Sequence, residues 1–304
     1  MTLSPVQIQK VSTLKGHRDC IYTLEAGPTP NIVFSGSGDG MVVLWNLENP
    51  DEGQLIARLP HSVYGLHFHQ STGKLIAGHN YEGIHILDWE NKKETGSLKM
   101  TEAAIFDIRS WGDNLFVACG DGTVYKIDVN TLTIKNKVRL SEKSARTIDI
   151  HPSGEEVAIG YSDTFIRIFD LGLNLKREWQ AHQNSVFTVR YTPDGESLMS
   201  GSRDARLKAW KVADEYRNYT EIVAHMFAIN HLDFSPDKKH FVTCSLDKTI
   251  KVWDANDLKL LKVIDRARHG GHWSSVNKAL WTPHQNQLLT ASDDRSIAVW
   301  HIIF

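Results

Sequence analysis

Apolar and polar residues alternate along this chain in short runs separated by turn residues, the period of half-buried β-strands. The stretch following Ala228 shows it plainly. INHLDFS, HFVTCS and TIKVWDA alternate, LKLLKVI continues with one apolar pair, and Pro236-Asp237 and Asp247-Lys248 mark the turns between the first three. The same unit recurs. Taking one internal turn as a marker places seven copies at positions 39, 81, 121, 163, 204, 247 and 294, at intervals of 42, 40, 42, 41, 43 and 47 residues. EGIHILD, GTVYKID and TFIRIFD follow the markers of copies two, three and four. A four-stranded unit of roughly 40 residues cannot bury its own apolar face and is stable only when stacked on neighbours. The expected fold is all-β: seven four-stranded antiparallel blades in a ring, one domain over residues 1–304.

Four copies carry the same chemistry. His17/Ser35/Asp39/Trp45, His182/Ser200/Asp204/Trp210, His225/Thr243/Asp247/Trp253 and His272/Thr290/Asp294/Trp300 keep one spacing. A histidine lies 22 residues before the aspartate, a hydroxyl four before it and a tryptophan six after it. The even separation puts aspartate and tryptophan on one side of strand and turn. With Gly16-His17, Gly271-His272 and Trp253-Asp254, the chain resembles the WD-repeat β-propeller family along its whole length. The resemblance implies that each aspartate caps the turn between second and third strands and accepts a hydrogen bond from the histidine. The hydroxyl then links histidine to tryptophan, making four buried structural networks. It also implies a closed ring. Ile8 to Leu14 precede the first Gly-His as LLKVI precedes Gly271-His272, and the chain ends just after the third strand of copy seven. The N-terminal strand is therefore expected to pair with the last three, which removes exposed sheet edges.

A repeated Ser/His/Asp set also invites a catalytic reading. A nucleophile needs exposure and a mobile base, whereas four identical sets one blade apart read as scaffold, so no catalytic residue is expected. No cofactor or metal is expected either, since His67-Phe68-His69 and His269-Gly270-Gly271-His272 have no further ligand at suitable spacing. Copies two to four have lost the network: Tyr81 replaces the turn aspartate, Leu87, Ile127 and Phe169 replace tryptophan, and His61 remains without its partner. Two accounts stay open, drift towards apolar packing or a partner site on the arc of residues 60–170.

Charge and composition narrow the partners. The chain has 34 basic and 36 acidic residues, a net charge of −2, which gives nucleic acid or an anionic membrane no electrostatic footprint. There is no N-terminal apolar segment and no apolar run of membrane-spanning length. Cys20, Cys119 and Cys244 are odd in number and far apart, which suits a reducing compartment. A cytoplasmic protein, monomeric on its own, is the expectation.

The resemblance further implies binding through the wide face of the propeller, where the residue five after each histidine points to the mouth of the central channel. The matching residues are Tyr22, Tyr64, Phe106, Arg146, Phe187, Asn230 and Asn277, aligned through IYTL, VYGL and VFTV and, in copies three and four, through IFDI and ARTI. Four aromatics and an arginine in a ring of seven are an excess of the side chains that dominate binding energy. The residues two earlier (Cys20, Ser62, Ala104, Ser144, Ser185, Ala228 and Ser275) are all small and leave the aromatics room. A second patch is Met226, Phe227 and Trp273, beside the insertion from Asp265 to Gly270 with its two arginines. That loop either leaves them exposed or folds over them. The expected function is a non-catalytic scaffold that grips a protein or peptide partner, with Arg203 near the ring. The alternative is an enzyme or small-molecule binder at the channel mouth, where Arg146 holds an anion with Arg203 and Asp293 as neighbours.

Overall fold

Each alternating run forms the strand its period predicts, and the computed structural model describes residues 6–304. Residues 1–5 of the expected domain lie outside the described residues. Blade 1 is built from Ile21–Ala26, Ile32–Ser37, Met41–Asn46 and Asn49–Arg58, hydrogen-bonded in that order. Blades 2 to 6 repeat this order of four antiparallel strands, starting at Val63, Ile105, Ala145, Val186 and Ile229. Blade 7 combines Val276–Trp281, Gln287–Ser292 and Ser296–Ile303 with Gln7–Lys15 from the other end of the chain. Gln7 stands opposite Ile303 and Lys15 opposite Ser296, so the N-terminal strand closes the ring as expected.

The core lies between blades. Leu14, Val33, Val43 and Trp45 pack with Leu289, Ala291 and Val299 across the closing junction of blades 1 and 7. Trp300 packs on the other side of blade 7, with Trp281, Leu288 and Ile302 against Val242 and Val252 of blade 6. Five further clusters each join one blade to the next. Second and third strands are covered on both faces, which is why IVFSGS and MVVLWN are apolar or small along nearly their whole length. Outer strands such as Ile134–Arg139 face solvent and are charged. The turn after Asp39 needs a left-handed residue, Gly40 at φ +75°, where a Cβ would lie 2.2 Å from the Leu59 carbonyl. Among the described residues, no helix is long and apolar enough to cross a membrane.

Candidate partner-binding site at the channel mouth

The four repeated constellations form the networks that the resemblance implied. Histidine Nδ1 lies 2.8–3.2 Å from the turn aspartate. Histidine Nε2 lies 2.7–2.9 Å from the Ser or Thr hydroxyl. Tryptophan Nε1 (Trp45, Trp210, Trp253 and Trp300) donates to that same hydroxyl at 2.8–2.9 Å. A hydroxyl has one proton, so having accepted from tryptophan it donates to Nε2, which leaves Nδ1–H to donate to the aspartate. Burial pulls His17, His182 and His225 below the ordinary imidazole value even beside their aspartates, in keeping with neutral rings. Ser35, Ser200, Thr243 and Thr290 are fully buried and doubly bonded, so none is a nucleophile that a substrate could reach. Each aspartate also accepts the backbone N–H just after its histidine (Arg18, Gln183, Met226, Trp273), tying the loop into the blade to its turn.

The tryptophans of these sets are core residues and offer nothing to a ligand. Trp45 and Trp300 are the largest fully buried side chains of the described residues, at 1% and 0% exposure. The reason is position: a third-strand residue in a propeller is sandwiched between its own blade's neighbours on both faces. The closing strand adds a further layer over Trp300, where Lys10 stands opposite in register and holds its Nζ 5.6 Å from the ring centre. Trp300 therefore serves as an anchor of ring closure, through Thr290 on one side and the N-terminal strand on the other.

Blades 2 to 4 replaced the network rather than only losing it. Their third strands place His85, Tyr125 and Arg167 four residues after the turn marker. His85 Nε2 lies 2.9 Å from His79 Nε2, and Tyr125 donates to the Met100 carbonyl at 2.9 Å. Arg167 bridges Asp163 at 2.8 Å and Glu178 at 2.9 Å. Thr101, at the histidine position of blade 3, still reaches Asp121 at 3.2 Å. His61 is exposed and meets Tyr81 edge-on, with ring centres 5.0 Å apart.

His79, Glu82 and His85 offer ligand atoms within 4.8 Å of one another, a grouping hidden from sequence spacing because a turn separates them. His79 Nδ1, 2.6 Å from the Asn80 carbonyl, carries a proton, so its bare Nε2 accepts from His85 Nε2–H. His85 Nδ1 has no hydrogen-bond partner among the described residues and lies 3.2 Å from Glu94 Oε1.

At the channel mouth the structure brings the seven ring residues together. Tyr22, Tyr64, Phe106, Arg146, Phe187, Asn230 and Asn277 are all half-buried and all line one pocket of about 230 Å³. The cause is a shared irregularity. In every blade the pairing of first and second strands skips this residue, as where Ile21 faces Ser37 and Thr23 faces Gly36, leaving Tyr22 out of register. A bulge re-aims its side chain away from the sheet faces, and seven bulges in register aim seven side chains into the mouth. Tyr22, Tyr64 and Phe106 form a chain of rings with centres 4.5 and 5.6 Å apart. The Arg146 guanidinium continues it, 3.9 Å from the Phe106 ring centre and 4.9 Å from that of Phe187. The asparagines are spent on stitching. Asn230 donates to Val276 O at 2.8 Å, and Asn277 to Ile21 O at 3.0 Å and Asp293 Oδ1 at 2.7 Å. Arg203 is exposed outside the pocket lining.

Below the ring lies a charged layer that the histidine count did not reveal. Glu25, Asp107, Asp149 and Asp233 on first strands accept backbone N–H groups of the next blade: Phe68 at 3.1 Å, Ile148 at 2.9 Å, Tyr191 at 2.7 Å and Trp281 at 2.8 Å. Arg190 spans Asp149 and Asp233 at 3.2 and 3.7 Å, and Arg109 lies 3.6 Å from Asp107. The available signal was a polar residue one or three positions after the ring residue on an otherwise apolar strand. Lys278 and His231 enter the pocket from this layer.

The second patch stays open. Met226, Phe227 and Trp273 are 81%, 56% and 58% exposed. The inserted loop does not cover them, because it folds on itself as a short helix, Arg266–His269, capped by Asp265, which accepts the Arg268 N–H at 2.8 Å.

A propeller of seven blades, four of them fastened by the His–hydroxyl–Trp–Asp network, defines the class of protein. The WD domain, G-beta repeat family matches residues 8–46, 173–211, 217–254 and 263–301, which are the four networked repeats, and the chain belongs to that family. It is similar to the 66 kDa stress protein of Physarum polycephalum, 24% identical over 299 residues, covering 95% of this chain and 47% of that protein. WD repeat-containing protein 1 of Rattus norvegicus is 30% identical over 160 residues, covering 52% of this chain and 26% of its own. Protein hir1 of Schizosaccharomyces pombe is 29% identical over 189 residues, 51% of this chain and 20% of its own. The chain spans less than half the length of these relatives.

Proposed function

We propose that the protein is a non-catalytic interaction module that holds a peptide or protein segment across the channel mouth. The observation that carries this reading is the run of Tyr22, Tyr64, Phe106, Arg146 and Phe187, half-buried and in mutual contact at a mouth open to solvent. Preformed aromatic surface of this kind buries area on binding with little loss of side-chain entropy. The acids of the channel support binding over catalysis: Glu25, Asp107, Asp149 and Asp233 are each committed to a backbone N–H. Exposed Met226, Phe227 and Trp273 extend the apolar surface on the loops of blades 6 and 7. The free thiols of Cys20, Cys119 and Cys244 fit a reducing compartment, and we place the protein in the cytoplasm on that ground. The test is quantitative affinity capture with wild-type protein and the triple variant Tyr64→Ala, Phe106→Ala, Phe187→Ala. Partners lost with a folded triple variant support the reading, and partners captured equally by both oppose it.

A further inference from the structure

Two cations, Arg146 and Lys278, and one carboxylate, Asp107, line the pocket at the mouth. Arg109 and Arg190, deeper in the channel, each sit against aspartate. Arg146 differs. Its guanidinium carbon lies 3.9 and 4.9 Å from the ring centres of Phe106 and Phe187, and no described carboxylate lies within ion-pairing reach. Packed against two rings, the guanidinium offers a ligand its edge, which carries all five N–H donors. Lys278 lines the same pocket with no ion-pair partner among the described residues. Asp107, the one carboxylate among the lining residues, is already occupied by the Ile108 and Ile148 N–H groups at 3.0 and 2.9 Å and by Arg109. His231, also in the lining and 6% exposed, has an Nδ1 with no partner among the described residues. Burial pulls the Lys278 ammonium down to about 8, against the raising effect of Asp107 and Glu25, and the Arg146 guanidinium to about 10. At about 230 Å³ the pocket suits one side chain more than a cofactor.

We infer that the mouth recognises an anionic side chain, and that a bound peptide lodges an oxyanion group against the edge of Arg146 and above Lys278. The inference rests on the peptide-binding reading above. The neighbouring Tyr22, Tyr64, Phe106 and Phe187 then take the flanking apolar parts of the peptide. A carboxylate of Asp or Glu and the phosphate of a phosphorylated residue share the chemistry that the guanidinium edge selects.

The experiment is a selection of random octapeptides displayed on phage against wild-type protein, R146M and K278M. Synthetic versions of the enriched peptides are then measured by fluorescence polarisation with the acid present, replaced by its amide, and replaced by phosphoserine. The expected result is a fixed Asp or Glu in wild-type binders, with affinity weakened about tenfold or more by the amide or by R146M. Phosphoserine binding more tightly than the acid assigns the natural group to phosphate. Binders without a fixed acid, or amide peptides that bind as well, overturn the inference. If such binders are still lost on Tyr64→Ala with Phe187→Ala, the peptide-binding reading survives alone. If no peptide depends on those rings, both fall. Thermal melts of R146M and K278M separate lost recognition from lost folding, because neither change removes a native ion pair.

Discussion

The Arg146 guanidinium lies 3.9 Å from the centre of the Phe106 ring and has no carboxylate beside it. A cation placed there gains from the ring but is only partly repaid for lost water. Lys278 is brought by burial to about 8 against an ordinary 10.5, the charges of Asp107 and Glu25 offsetting this only in part. The folded chain thus binds fewer protons than the unfolded one between those two values, and the cost of the charged amine is present below pH 8 and relieved as pH rises towards 10.5. K278M should therefore be more stable than wild type at neutral pH, by on the order of 2 kcal/mol. The gap should narrow as pH rises through 8–10. Urea unfolding at several pH values measures both, and a less stable K278M would contradict the account.

Ser200 accepts from Trp210 Nε1 at 2.8 Å and lies 2.9 Å from His182 Nε2, in a fully buried site. Ser200→Ala leaves two buried nitrogens without a partner and should cost about 1–3 kcal/mol. Peptide binding at the mouth should be unaffected. Chemical denaturation checks the first statement and fluorescence polarisation the second.

The networks also fix how stability responds to acid. His17, His182 and His225 are held below their ordinary 6.5 by burial, so the unfolded chain takes up protons first as pH falls. Their contribution is fully present above 6.5 and is lost as pH falls towards the folded values. Against burial, the bonds from His272 and Ser296 hold Asp294 at about 2, below its ordinary 3.8, so its contribution is lost as pH falls through that lower window. The unfolding free energy should be lower at about pH 5.5 than at about pH 7.5, by up to about 1.4 kcal/mol per pH unit below 6.5 for each histidine, and the urea midpoint should fall with it. A midpoint that is flat or rises towards acid would refute this.

Leu14 belongs to the closing strand yet is 1% exposed, packed among residues of blades 1 and 7. Leu14→Ala should cost about 2–5 kcal/mol, the penalty of a core truncation rather than of a frayed terminus. Unchanged thermal stability would mean the ring does not depend on that strand.

The blade count and the four networks were legible because both rest on local periodicity: alternation within strands and one spacing repeated four times. Four ring residues could be located by counting five from each network histidine and the other three by aligning VYGL, IFDI and ARTI, but the reason they face the mouth could not. A bulge is a relation between two strands, Ile21 to Ser37 and then Thr23 to Gly36, and leaves no mark on either strand alone. The acids below the ring were hidden for a related reason. Asp149 and Asp233 read as ordinary polar positions in alternating strands, and only the curvature of the ring brings them to the N–H groups of Tyr191 and Trp281. Spacing likewise tied Trp300 to Thr290, but its cover by Lys10 depends on strands from opposite ends of the chain. In blade 2 the losses at Tyr81 and Leu87 were visible, whereas the replacement, His85 against His79, required knowing that a turn folds them together.

The central claim is that the mouth is where a partner binds. Hydrogen exchange on the protein with and without a peptide from the selection tests it most directly. The account predicts new protection in the segments around Tyr22, Tyr64, Phe106, Arg146 and Phe187, with the outer strands unchanged. Protection confined to outer strands such as Lys93–Leu98 and Ile134–Arg139, with the ring segments exchanging as before, would contradict it.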